Sequence, residues 1–197
     1  MNCIDVLYRQ FEDVVAELYA DGLFDESVKA AMYRSCQLQD ARALAYEVNK
    51  RLSDDAVAGR LAGTAGDVDL CLIRNRALTA RVLLVAISNL MLVRARDLLA
   101  KITYAARTLR DEPRDAGPAL DEPLRLADDA LLSGNIAGAR AHLAGICRPT
   151  HRGTQLSLSF RAPYNRLPDA ACRQCYILTS TLDRLPDEAR IVGDQAP

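Results

Sequence analysis

"RALTARVLLVAIS", residues 76 to 88, is the most apolar part of this 197-residue chain, with six unbroken hydrophobes from Val82 to Ile87. Three readings compete for it: a membrane span, a site of chemistry, or the central helix of a core. A spanning helix needs about 20 predominantly apolar residues. Here Arg74, Arg76 and Arg81 interrupt one side and Arg94, Arg96 and Asp97 the other, so the expectation is a core helix and no membrane. From Val68 to Leu109 there is neither proline nor glycine. A single helix of that length would run about 60 Å, long for one compact domain, so a break is expected at Ser88 and Asn89, both residues that favour N-cap geometry.

Working outward, the preceding segments read as short helices. Ile4, Leu7, Phe11, Val14 and Leu18 recur at gaps of three and four and form one stripe. Gly22 supplies a C-cap and Asp25 an N-cap, with Glu26 adding negative charge to the positive end of the next helix. Val28, Met32 and Ser35 line that helix, and Ala41, Leu44, Val48 and Leu52 the one after. Ser53, Asp54 and Asp55 open a short helix reaching Ala62, and "GTAGD" (63 to 67) reads as a turn.

Downstream, Leu98, Leu99, Ile102, Ala105, Ala106 and Leu109 keep helical spacing. "RDEPRDAGPALDEP" (110 to 123) holds three prolines and a glycine and predicts a linker. A helical pair follows, with Gly134 in its turn and Asn135 capping the second member. Beyond Cys147, "QLSLSF" (155 to 160) alternates like a short strand, while Pro149, Pro163, Pro168 and Pro186 leave little room for regular structure. The expectation is an all-α protein: an antiparallel helical bundle with a four-helix-like core over residues 1 to 147, and an irregular, partly disordered tail over 148 to 197. Its core would include Leu7, Phe11, Val14, Leu18, Leu84, Ile87, Met91, Leu98 and Ile102.

Composition narrows the function classes. Lysine plus arginine number 25 against 26 aspartates and glutamates, so no basic excess exists to hold a nucleic-acid backbone. Aromatic residues are 5% of the chain and tryptophan is absent, which disfavours base-stacking platforms. No phosphate-binding glycine loop, nucleophile elbow or paired-histidine motif occurs, and His142 and His151 are the only histidines, so no enzyme and no cofactor is expected. The start "MNCIDVLYRQF" has no apolar leader, and Asn2 excludes myristoylation. With no secretory signal, the six cysteines are expected as reduced thiols of a cytoplasmic or nuclear protein. Cys147, His151, Cys172 and Cys175 have the spacing of two ligand pairs for tetrahedral zinc, but they are weighed against unremarkable cysteines of the tail, and no metal is assigned.

"LYRQFEDVVAELYADGLFDES" carries Leu7, Arg9, Gln10, Leu18, Tyr19, Gly22, Asp25 and Glu26 in a pattern that resembles the opening of the plant histidine-containing phosphotransfer proteins. "QLQDARALAYEV" (37 to 48) is similar to that family's next helix. Aligned from Val68 and Asp69, its His-x-x-Lys-Gly centre falls on Leu78, Arg81 and Val82, so the phosphoacceptor histidine is missing. The resemblance implies a pseudo-phosphotransfer protein that binds receiver domains or sensor kinases of phosphorelays, as in cytokinin signalling, without accepting phosphate. Its docking residues would be Arg81, Leu78 and Arg74. Beside it stands a helical adaptor unrelated to phosphorelay, for which "ALLSGNIAGARAHLAGI" suits a helical repeat.

Overall fold

The structure is a computed structural model that describes residues 2–62, 67–108, 117–144, 146, 150–152, 155–157 and 169–188. It is all-α, with helices α1 (Cys3–Ala20), α2 (Glu26–Gln37), α3 (Ala41–Arg51), α4 (Asp54–Leu61), α5 (Asp67–Thr108), α6 (Gly117–Leu132), α7 (Ile136–Ala144) and α8 (Asp169–Asp183). One small antiparallel hairpin accompanies them, β1 (Thr150–Arg152) against β2 (Gln155–Ser157), with His151 opposite Leu156. By its internal packing the chain forms two units, Met1–Leu90 and Met91–Pro197.

In the first unit each helix packs on its neighbour in sequence, α1 on α2, α2 on α3 and α3 on α4. The turns explain why. Helix α1 ends on Gly22 at φ +76°, with Gly22 N–H donating to Tyr19 O and Leu23 N–H to Leu18 O, the paired bonds of a Schellman stop. Asp25 then accepts from Val28 N–H at 3.0 Å and starts α2. The next turn repeats the device without glycine: Gln39 takes φ 52°, Gln39 N–H reaches Cys36 O, and Asp40 N–H reaches Ser35 O. Its amide Nε2 also donates to Asp5 on α1 at 2.8 Å. Asp40 and Ser53 cap α3 and α4.

Packing in α1 is rotated from the expected stripe. Ile4, Tyr8, Phe11, Val15 and Leu18 are buried, while Leu7 and Val14 are only half-buried. Both stripes use gaps of three and four, and the aromatic ring of Tyr8 covers more apolar area inside than Leu7 would. The remaining expected core residues, Leu84, Ile87, Met91, Leu98 and Ile102 among them, are buried.

Helix α5 does not break at Ser88 and Asn89. The buried series Leu84, Ile87, Met91 crosses that point without interruption, and Ser88 itself is 7% exposed. A serine caps only where the preceding backbone has left the helix, and here continued burial keeps it in.

The second unit corrects two expectations. Residues 117 to 123 were to belong to a linker but form the start of α6. Pro118 falls in the first turn, where its missing N–H has no intrahelical partner to lose. Pro123 lies deeper, and burial of Leu120, Leu124, Ala127 and Leu131 along one face offsets its lost bond. Within the expected irregular segment 148 to 197, residues 169 to 183 are helix α8, with Ala171, Cys175, Leu178, Leu182 and Leu185 buried. Pro168 and Pro186 flank that helix instead of disrupting it, one just before its start and one after its last turn.

Between α6 and α7 the turn is again a Schellman stop, with Gly134 at φ 73°, Gly134 N–H on Leu131 O and Asn135 N–H on Ala130 O. Asn135 Oδ1 caps α7 through Gly138 N–H at 2.8 Å, as its place after the glycine predicts. A Cβ at Gly138 would stand 2.6 Å from the Asn135 side chain, so any larger residue there makes the capping amide shift. Arg140 of α7 joins this hairpin to the end of α8. Its guanidinium donates to Leu182 O at 3.0 and 2.7 Å and to Leu185 O at 2.7 Å, and it pairs with Asp187.

Candidate docking face on the fifth helix

The residues that sequence reasoning placed at the docking position lie on α5 within the first unit, and two ion pairs orient this part of the helix. Arg76 Nε meets Glu17 at 2.8 Å and its Nη1 bonds Asp21, so it sits beside the C-terminal end of α1, where a cation is favoured. The hydrogen bond that Arg76 donates to Asp21, then the nearby charges of Asp21 and Glu17, hold Arg76 above the ordinary arginine range. Arg81 Nη2 bonds Asp54 in the first turn of α4 at 2.8 Å. Five residues apart, these arginines stand about 140° apart around the axis, one on each side of the buried series Ile73, Ala77, Ala80, Leu84 and Ile87.

Opposite that series the helix is apolar again, and exposed. Leu78 is 50% exposed and Val82 58%, and Val85 and Leu72 are exposed beside them. Two opposed apolar faces explain why α5 alone among the described residues is long and apolar enough, by length and composition, to cross a membrane. One face is spent on the protein interior, and the arginines beside it are ion-paired within the fold.

Leu78 and Arg74 are on the outer face, and Arg81 lies at its edge, held toward α4 by Asp54. The three are brought to one side of one helix. Val85 and Leu72, which the sequence reading did not single out, are exposed as well. Chemically the face offers aliphatic surface, the thiol of Cys71, the amide of Asn75, the hydroxyl of Thr79 and guanidinium, with no histidine among them. Of the two histidines, His142 is on α7, and the side chain of His151 lies outside the described residues.

Cys147 and the side chains of His151 and Cys172 lie outside the described residues, and Cys175 is fully buried among the leucines of α8. Among the described residues no group of three or more His, Cys, Asp or Glu could hold a metal. Cys36 is buried, and burial, then the charge of Glu12, pushes its thiol from 9.0 up to about 12, leaving it inert as a nucleophile. A shallow open recess between α2 and α3, rimmed by Asp40, Arg42, Tyr46 and Glu47, carries no such group either.

No family model, no curated protein and no solved structure matches this chain.

Proposed function

We propose that this protein is a non-catalytic helical interaction protein that docks a protein partner on the outer face of α5. The observation that carries this reading is the exposure of Leu78 and Val82 on a helix whose opposite face already fills the core. Exposed contiguous aliphatic surface bordered by cations is the usual composition of a protein-binding face.

The N-terminal pattern from Leu7 to Glu26 supports phosphorelay proteins as the partner class. On that reading Leu78 occupies the place of a phosphoacceptor, Arg74 and Arg81 meet the acidic pocket of a receiver, and signalling is dampened by occupancy without transfer. Incubation with a panel of receiver domains and sensor kinases tests it. Micromolar association with a receiver, lost in Leu78→Lys and without phosphate transfer onto this chain, is the expected result. Transfer onto any residue overturns the silent-site reading.

A second reading is favoured by the way the helices pair. Each of α1 to α4 packs on its sequence neighbour, and so does the series α6, α7 and α8, as in arrays of helical hairpins. Several residues of the phosphotransfer-like pattern also have local duties that any helical hairpin needs: Leu18 is core, Gly22 ends α1 and Asp25 starts α2. If no receiver or kinase binds, a helical adaptor outside phosphorelay is the better account.

A further inference from the structure

We infer that the outer face of α5 pairs with the same face of a second copy of this chain, as a short parallel two-stranded coiled coil. The inference rests on the outer face being a docking surface, and it names the occupant in the absence of another partner. Cys71, Asn75, Leu78, Val82, Val85 and Asn89 follow one another at gaps of four, three, four, three and four. This is the alternation of a heptad seam, in which every second position repeats after seven residues. Cys71, Asn75, Leu78, Val82 and Val85 are exposed, whereas Asn89 is half-exposed with its Oδ1 buried, so the seam is open to solvent from Cys71 to Val85.

Three features select a second copy over an unrelated helix. The first is seam chemistry: valine occupies the position of Val82 and leucine that of Leu78, the arrangement that favours two parallel strands. The second is Asn75, exposed in the position equivalent to Val82. An asparagine amide is both donor and acceptor, so opposite its own copy each side chain satisfies the other, whereas an aliphatic partner would leave it unpaired. The third is charge. Arg74 and Arg81 border the seam on one side, and Leu72, Thr79 and Ala86 on the other. In a parallel pair the basic border of one copy lies against the neutral border of the other, where no like charges meet. An antiparallel pair would set Arg81 against Arg81 of the second copy, which like-charge repulsion disfavours.

Because the same stripe would receive a receiver domain, self-pairing and partner docking exclude each other, and the two are separable by experiment. Sedimentation of the full chain under reducing conditions, from low to high micromolar, should show a monomer becoming a dimer. Val82→Lys should remain monomeric at every concentration with unchanged helical circular dichroism, since its position is exposed in the folded chain. Mild oxidation of the wild type should link Cys71 to Cys71 of the second copy, identified by peptide mass spectrometry. A chain that is monomeric throughout, or a dimer that survives Val82→Lys, overturns the inference; a dimer lost in Val82→Lys but without the Cys71 link overturns the parallel register. Receiver binding measured on the same samples reports separately, so a dimer that binds no receiver leaves the pairing standing and removes only the phosphorelay partner.

Discussion

The two faces of α5 carry nearly the same residues and do opposite things. Leu84 and Ile87 are enclosed, while Leu78 and Val82, a turn away on the same helix, stand in solvent. Residue type does not separate them; position around the axis does. The lesson extends through the molecule, because arginines, thiols and turn residues of one type also divide according to what encloses them.

The largest expected contrast is between the two faces themselves. Leu84→Asp should unfold the first unit, since an unpaired carboxylate in the core costs several kcal/mol, comparable to a domain's whole stability. Val82→Asp should change stability by less than about 0.5 kcal/mol. Urea denaturation of the two variants measures the difference, and equal midpoints would show that the faces are not distinct.

Next come the arginines. Arg140 is one-fifth exposed and its guanidinium caps the carbonyls at the end of α8, so Arg140→Ala should destabilise the second unit by about 2 kcal/mol through loss of charge-assisted bonds. Arg81→Ala should cost less than about 0.5 kcal/mol, because its partner Asp54 is 83% exposed and solvent screens the pair. Thermal melts monitored by circular dichroism distinguish them.

Thiols give the third contrast. Cys36 titrates near 12 inside the fold against an ordinary 9.0. Its folded value is raised, so the associated stability is complete below the unfolded thiol's range and declines as pH climbs above about 9, where only the unfolded state releases the proton. The decline is bounded by about 1.4 kcal/mol per pH unit. Cys36→Ala should flatten that limb. Iodoacetamide should label exposed Cys3 and Cys71 before Cys36 and Cys175.

The smallest contrast lies in the turns. Gly134→Ala should cost about 1 kcal/mol for a left-handed alanine. Gln39→Gly relieves the same strain but loses the bond to Asp5 and loosens the unfolded chain, so the two effects should cancel to within about 0.5 kcal/mol. A clear gain in stability would show that the Gln39–Asp5 bond contributes little.

Local signals were readable wherever the chemistry is short-range. Gly22, Asp25, Ser53 and Asn135 do at their turns and caps what their types foretell, and the stripes of α2 and α3 are enclosed as spaced. What stayed hidden depends on tertiary contact. Nothing in Ser88 or Asn89 reveals that burial on both sides would carry the helix through them. Proline at 168 and 186 reads as disorder until the apolar spacing from Ala171 to Leu185 is weighed against it. Of the candidate face, Leu78, Arg81 and Arg74 were found through alignment to a family pattern, and Val85 and Leu72 went unnoticed because an apolar residue in an apolar run gives no sign of pointing outward. Arg140 was silent for a related reason: three of its bonds go to backbone carbonyls, which have no sequence signature, and its partner Asp187 lies far along the chain.

The nearest-neighbour pairing of helices through tight turns also bears on how the chain reaches its fold. Most of the contacts that close α1 to α4, and α6 to α7, join segments only a few turns apart, so little chain entropy must be lost before contact energy is gained. Folding should therefore be fast and should begin at the hairpins, with Gly22, Gln39 and Gly134 as the points where chain reversal is already encoded. During synthesis, the α1–α2 hairpin has all its stop and start signals by residue 28, so it can assemble before α5 exists to complete the core.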